Sequence, residues 1–181
     1  MKGHRVYPAS RGRSLLAFRG LLHNPERILA GLVRPGDRAA DIGCGPGHFL
    51  PALGRAAGPN GEVFAVDLQE GMLEQARSRV AGLAQVARYR FVKAAPGSLG
   101  LAARLDFSLV FAVAHETPDP AALFAELARW TEAGGTCLFA EPLFVPEREF
   151  GESLAAALRA GFAERSRPRI ALSRAILLER V

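Results

Sequence analysis

The sequence predicts an α/β fold, a doubly wound and mostly parallel sheet between two helical layers, and three observations carry that prediction. From residue 38 onward, short apolar or β-branched runs alternate with longer helix-like segments, the pattern of a parallel sheet with crossover helices. Each run is short and mostly apolar, as a strand covered on both faces should be. A glycine-rich turn separates the first run from the first long helical segment, at the kind of strand end where open α/β sheets place their ligands.

Taken in order, Asn24-Pro25-Glu26 begins a short helix that runs to Ala30, and Arg34-Pro35-Gly36-Asp37 is a turn delivering the chain into the first strand. Strands are expected at residues 38–42, 62–66, 89–93, 107–112 and 136–140, with helices at 49–57, 72–81 and 121–130. In the last helix Leu123, Leu127 and Trp130 recur at three and four residue intervals, Pro120 suits a first helical position, and Gly134-Gly135 lies just past the end. The tail changes character. An alanine-rich helix at 152–160 stops at Gly161, and segments 162–169 and 172–180 read as strands whose very short connection makes them antiparallel. No internal repeat or linker divides residues 24–181, which read as one domain behind a basic segment at 1–23.

Composition excludes several classes. At 181 residues, 49% hydrophobic and 23% charged, the chain is neither disordered, collagen-like nor a coiled coil, and it can bury roughly 70% of its unfolded surface. The formal charge of +5 would suggest a nucleic-acid or membrane partner. Its distribution argues otherwise. Lys2, Arg5, Arg11, Arg13 and Arg19 fall among the first 24 residues with no acid, and the remainder carries 18 bases against 18 acids. Cys44 and Cys137 match no zinc or redox spacing, so a reducing compartment and no metal are expected. Nothing approaches 18 consecutive apolar residues, and the stretch at 15–22 is broken by Arg19 with no cleavage pattern after it. A cytoplasmic protein without stable membrane association is the expectation.

The stretch Asp41-Ile42-Gly43-Cys44-Gly45-Pro46-Gly47-His48-Phe49 closes an expected strand and opens an expected helix. Glycines there turn the backbone sharply and let a ligand approach without a Cβ in the way, while the helix presents free N–H groups and a positive dipole end. A dinucleotide site would want its third glycine where His48 stands, and no Gly-Lys-Ser/Thr follows, so neither a nicotinamide site nor a P-loop fits. Val63-Phe64-Ala65-Val66-Asp67 then puts a carboxylate at the end of the second strand, about 20 residues past the loop, where it can accept both hydroxyls of a ribose. Loop and acid together specify a nucleoside-bearing cofactor.

On these residues the chain resembles class I S-adenosylmethionine-dependent methyltransferases of the small-molecule type, which are Rossmann-like three-layer sandwiches. Residues 41–47 are similar to the family's glycine motif and Asp67 to its ribose-binding acid. Ala114-His115-Glu116-Thr117-Pro118-Asp119 resembles the segment after the fourth strand, and 130–142, ending Leu138-Phe139-Ala140-Glu141-Pro142, the turn and fifth strand. The resemblance implies S-adenosylmethionine as cofactor. It further implies that Gly43, Cys44 and Gly45 line the methionine part through main-chain contacts, that Asp41 orients its ammonium, and that Leu68 and Met72 flank adenine. One departure stands out. Family members often carry an acid after the third strand for the adenine amino group, where this chain reads Lys93-Ala94-Ala95-Pro96-Gly97-Ser98. Adenine recognition then falls to main-chain atoms of Ala95 or Gly97, to Ser98, or to packing.

Methyl transfer from a sulfonium is an in-line displacement, so positioning and exclusion of water supply most of the acceleration and few side chains are needed. For a hydroxyl or thiol acceptor a base helps. His115 is the first candidate because an ordinary histidine titrates near neutrality, and Glu116 and Glu141 follow, both near carboxyl ends of strands. The plain alternative is that His115-Glu116 packs or caps a helix, and a metal set of His115, Asp119 and Glu141 is a minor one. No Asn/Asp-Pro-Pro-Tyr/Phe run, no Pro-Cys nucleophile and no cysteine cluster is present, which turns the expectation from nucleic-acid bases and arsenic toward a small-molecule acceptor. Leu15, Leu16, Phe18, Leu21 and Leu22 among arginines read either as a lid over the acceptor pocket or as an arm packed on the sheet. Two competing functions remain: an RNA methyltransferase using the basic arm, and a cofactor-binding protein without catalysis.

Overall fold

Helix α1 (Pro25–Leu29) is followed by β1 (Arg38–Ile42), α2 (Leu50–Ala57), β2 (Glu62–Asp67), α3 (Glu70–Val80), β3 (Arg88–Lys93) and β4 (Leu105–Phe111). A 3-10 turn, Ala114–Glu116, leads to α4 (Pro120–Trp130), β5 (Thr131–Pro142), α5 (Glu147–Arg159), β6 (Phe162–Ser166) and β7 (Ser173–Arg180). These elements come from a computed structural model that describes residues 23–181. The basic segment and its proposed lid lie, apart from His23, outside the described residues. Among the described residues no helix is long and apolar enough to cross a membrane.

The sheet runs β3-β2-β1-β4-β5-β7-β6. The first five strands are parallel, and β7 is antiparallel to both neighbours. This is the doubly wound, Rossmann-like sandwich that the sequence predicts. The expected antiparallel pair is present, with the last strand of the chain inserted between β5 and β6 and β6 at the edge. Alternate residues of one strand supply the two helical layers. Leu109 and Leu138 pack toward Leu50, Leu53 and Leu73 on one face, while Val110 and Phe139 pack toward Phe124, Leu127 and Phe150 on the other. Phe139 meets Phe124 edge-on at 5.2 Å between ring centroids and stacks on Phe150 at 5.0 Å.

Local chemistry sets the ends of the elements. Asp119 accepts the N–H groups of Ala121 and Ala122 at 2.9 and 3.0 Å, so α4 starts at Pro120. It ends at Trp130, as expected, but by Thr131 and not by the two glycines: Thr131 turns extended, its hydroxyl donates to Leu127 O at 2.8 Å, and β5 begins at once. The two glycines serve an excursion of the strand, where pairing with β4 steps from Leu105↔Thr131 to Phe107↔Thr136 and Gly134 adopts a φ of 78°. Helix α5 starts at Glu147, ahead of the alanine-rich stretch, because Glu147 and Glu149 suit the positive end of its dipole. Strand β6 stops at Ser166 instead of 169, since Pro168 has no N–H to donate to a ladder.

Gly54, inside α2, shows packing overriding propensity. Alanine in a helix interior ordinarily gains about 1 kcal/mol over glycine. Here a Cβ would fall on the Tyr89 hydroxyl, which donates to Leu50 O at 3.0 Å. Gly54→Ala is therefore expected to lower stability in urea unfolding by about 1–3 kcal/mol, the usual cost of overpacking; a gain would show that Tyr89 swings clear.

Candidate active site

The strand order reverses between β1 and β4, and a cleft of about 340 Å3 opens at the carboxyl ends of β1, β2, β3 and β4. That volume is in the range of sites that enclose small organic ligands. One wall is the glycine loop. Gly43 has a φ of 67°, and a Cβ there would sit 2.5 Å from Val113 Cγ2 across the cleft, so only glycine keeps this cradle open. Gly45 N–H donates to Asp67 Oδ2 at 2.8 Å, and Gln69 N–H to Oδ1 at 2.9 Å. Asp67 thus anchors the loop while facing the cleft. Burial pushes its carboxyl pKa above the usual range, against the downward pull of the Gln69, Gly45 and Leu68 N–H groups.

Asp41 and Cys44 lie off the cleft wall, each 3% exposed. The Cys44 thiol contacts Gly45 O at 3.5 Å. Burial, reinforced by the charges of Asp41 and Asp67, pushes it well above the ordinary thiol range, and burial pushes Cys137 up to about 12. Burial and a raised pKa both oppose a nucleophilic role for either thiol. Met72 is buried in the wall beneath Leu68, which stands half-exposed at the rim. Across from them runs 94–99. Ala95 and Ser98 exchange both backbone hydrogen bonds, at 2.9 and 3.0 Å, around Pro96 and Gly97. The Ser98 hydroxyl donates to Glu126 Oε1 at 3.2 Å, and Leu99 N–H donates to Glu126 Oε2 at 2.8 Å.

The other end of the cleft is built after β4. Ala112, at a φ of 58°, bends the chain while its N–H donates to Ala140 O, which throws 113–117 across the mouth. His115 Nδ1 stands 2.5 Å from Glu141 Oε2, and the His115 N–H donates to Oε1 at 3.3 Å. A carboxylate only accepts, so Nδ1 carries a ring proton and Nε2 is turned away from Glu141. Glu141 is 1% exposed. Glu116 lines the cleft with Oε1 3.9 Å from His115 Nε2. His115, Glu116 and Glu141, the three candidate bases, thus stand together as one group. Asp119, weighed with His115 and Glu141 as a metal set, spends Oδ1 on capping α4. Beside the histidine, Phe144 presents its ring edge-on at 5.8 Å and is largely exposed, as are Leu143 and Leu172. Those apolar residues, Val113 and Glu126 were not anticipated. For Glu126 the available signal was a charged residue one turn from Ala122, beside the apolar stripe of α4.

Residues 39–135 match a family model described as "methyltransferase domain". A demethylmenaquinone methyltransferase of Staphylococcus aureus is 43% identical over 54 residues, which is 30% of this chain and 22% of that protein. The chain spans less than a third of the length of the curated relatives it matches. Among solved structures, a SAM-dependent methyltransferase from Aquifex aeolicus superposes with a TM-score of 0.85 at 22% identity, covering 97% of this chain and 100% of that one. TrmN from Thermus thermophilus gives 0.69 at 25% identity, covering 98% and 55%.

Proposed function

The chain belongs to the methyltransferase domain family, with S-adenosylmethionine as its cofactor, and from that premise we propose that it methylates a small apolar acceptor at a hydroxyl, with His115 as the base. The residues present suit the cofactor. Asp67 offers a carboxylate for the ribose hydroxyls, the Gly43–Gly45 main chain a cradle for the methionine part, and Met72 and Leu68 apolar surface for adenine. The cofactor, when bound, supplies a methyl group on a sulfonium whose C–S electron pair leaves with sulfur. His115 Nε2 receives the acceptor's proton as the new O–C bond forms, and buried Glu141 stabilises the resulting imidazolium. The pairing of Nδ1 with Glu141 is the observation that carries this reading, because it fixes the ring and leaves Nε2 turned away from the buried carboxylate. Phe144, Leu143 and Leu172 give the acceptor side an apolar rim. The relative named for demethylmenaquinone methylation supports a small-molecule acceptor, and the buried free thiols fit a reducing cytoplasmic setting.

The basic first 24 residues favour RNA as the second reading. Tritiated-methyl S-adenosylmethionine, offered with a size-filtered metabolite extract and with total RNA, separates the two. Label is expected in organic-extractable small molecules. Label in RNA that declines with added salt would replace this reading with the second, and binding of cofactor without transfer to either would leave a non-catalytic protein.

A further inference from the structure

The adenine end of the cleft poses a recognition problem that one residue solves. The N–H and C=O of Ala95 and of Ser98 are bonded to each other, Ala94 N–H donates to Asp67 O, and Leu99 N–H donates to Glu126. The Ser98 hydroxyl is engaged on both sides, donating to Glu126 and accepting from Gly100 N–H at 3.2 Å. Of the groups that sequence alone offers for the adenine edge, Ala95 and Ser98 are therefore committed to the turn itself, and Gly97 at its tip offers only main-chain atoms. Glu126 reaches the same cleft from α4. A carboxylate has about four acceptor positions. Two of them hold Leu99 and Ser98, and the others remain for a donor in the cleft. Of the other cleft carboxylates, Asp67 stands at the end of β2 under the glycine loop, Asp119 caps α4, and Glu116 stands at the His115 end, 3.9 Å from Nε2.

We propose that Glu126 is the specificity residue for the base, accepting the exocyclic amino group of adenine while bracing the turn at 95–99. The inference rests on the cofactor assignment and not on the nature of the acceptor. Placing the reader on α4 instead of the loop after β3 also ties recognition of the base to the helix that begins beside the His115 turn.

Calorimetric titration with S-adenosylhomocysteine and with S-inosylhomocysteine, whose 6-oxo group replaces the 6-amino group, tests it on the intact chain. Wild type should favour the amino compound by roughly 30-fold or more, since a site built around a donor rejects an analogue lacking it. In Glu126→Ala the two affinities should come within about threefold of one another, a loss of discrimination that exceeds the general loss of binding. Glu126→Gln retains an oxygen for Leu99 N–H and presents an amide N–H to the base, so its preference should shift toward the 6-oxo ligand. An unchanged ratio in both variants, with the two affinities falling in parallel, would make Glu126 a brace only and overturn the proposal. Wild type that binds neither ligand would overturn the cofactor assignment and this inference together. Should Glu126→Ala fail to fold, the Gln variant decides the matter by the same ratio.

Discussion

Asp67→Ala is expected to abolish the rise in melting temperature that S-adenosylhomocysteine gives the wild type, with affinity falling on the order of 100-fold or more. A ligand that binds only the folded state stabilises it by RT ln(1 + L/Kd) at free ligand concentration L, so the shift reads binding directly. The magnitude follows from chemistry. Two hydroxyls donating to one carboxylate make charge-assisted bonds worth about 1.5–3 kcal/mol each, and every 1.4 kcal/mol is about tenfold in affinity. The substitution also frees the Gly45 and Gln69 N–H groups that Asp67 holds at 2.8 and 2.9 Å, so the glycine loop loses its anchor. An undiminished shift in Asp67→Ala would remove Asp67 from the binding site.

The raised pKa of Asp67 adds a pH dependence of known sign. By itself a carboxyl whose folded pKa is raised favours the folded state below its unfolded value, and that contribution is lost as pH rises through the folded value. Donating hydroxyls stabilise the ionised form, so cofactor binding draws the pKa back down. Affinity for S-adenosylhomocysteine should therefore weaken as pH falls from about 7 toward about 4, and Asp67→Asn should flatten that slope. The same slope in both proteins would assign the titration to another group.

His115→Ala should lower kcat by about 100-fold to 1,000-fold, within the usual range for loss of a positioned base, while S-adenosylhomocysteine binding stays within about twofold, as discrete sites on one fold usually behave additively. The split is expected because His115 itself does not line the cofactor cleft. Glu141 is a positioning residue, and its test differs. Glu141→Gln keeps an oxygen for the Nδ1 proton but removes the charge that favours the imidazolium, so the acid limb of the rate profile should move to lower pH with a loss of about tenfold. Imidazole added to His115→Ala should restore part of the rate. Unchanged turnover in His115→Ala, or a loss explained wholly by weaker cofactor binding, would discard the base and leave transfer to positioning alone.

Much of the site is legible from local pattern. The glycine loop and Asp67 lie within 27 residues of one another, one turn and one strand end, and each has a stereochemical reason that needs no knowledge of the rest of the chain. The helix caps at Asn24 and Asp119 are equally local. Other features rest on neighbours that sequence distance conceals. His115 and Glu141 meet because β4 and β5 lie side by side with Phe111 opposite Ala140, which puts the residues following each strand at one edge. Glu126 meets Ser98 and Leu99 because α4 packs where the segment after β3 returns to the sheet.

The amino-acid sequence by itself determined the α/β class, the parallel sheet with its antiparallel end, the glycine loop and the acid that follows it, since hydrophobic period, turn chemistry and capping act over a few residues. It also located the excess positive charge at the start of the chain, outside the described fold. Only the tertiary structure decided that His115, Glu116 and Glu141 form one group and that the carboxylate of Glu126 reaches the cleft from its helix. Such pairings depend on strand register and helix docking, which bring together residues 26 to 28 positions apart in a distance of one hydrogen bond.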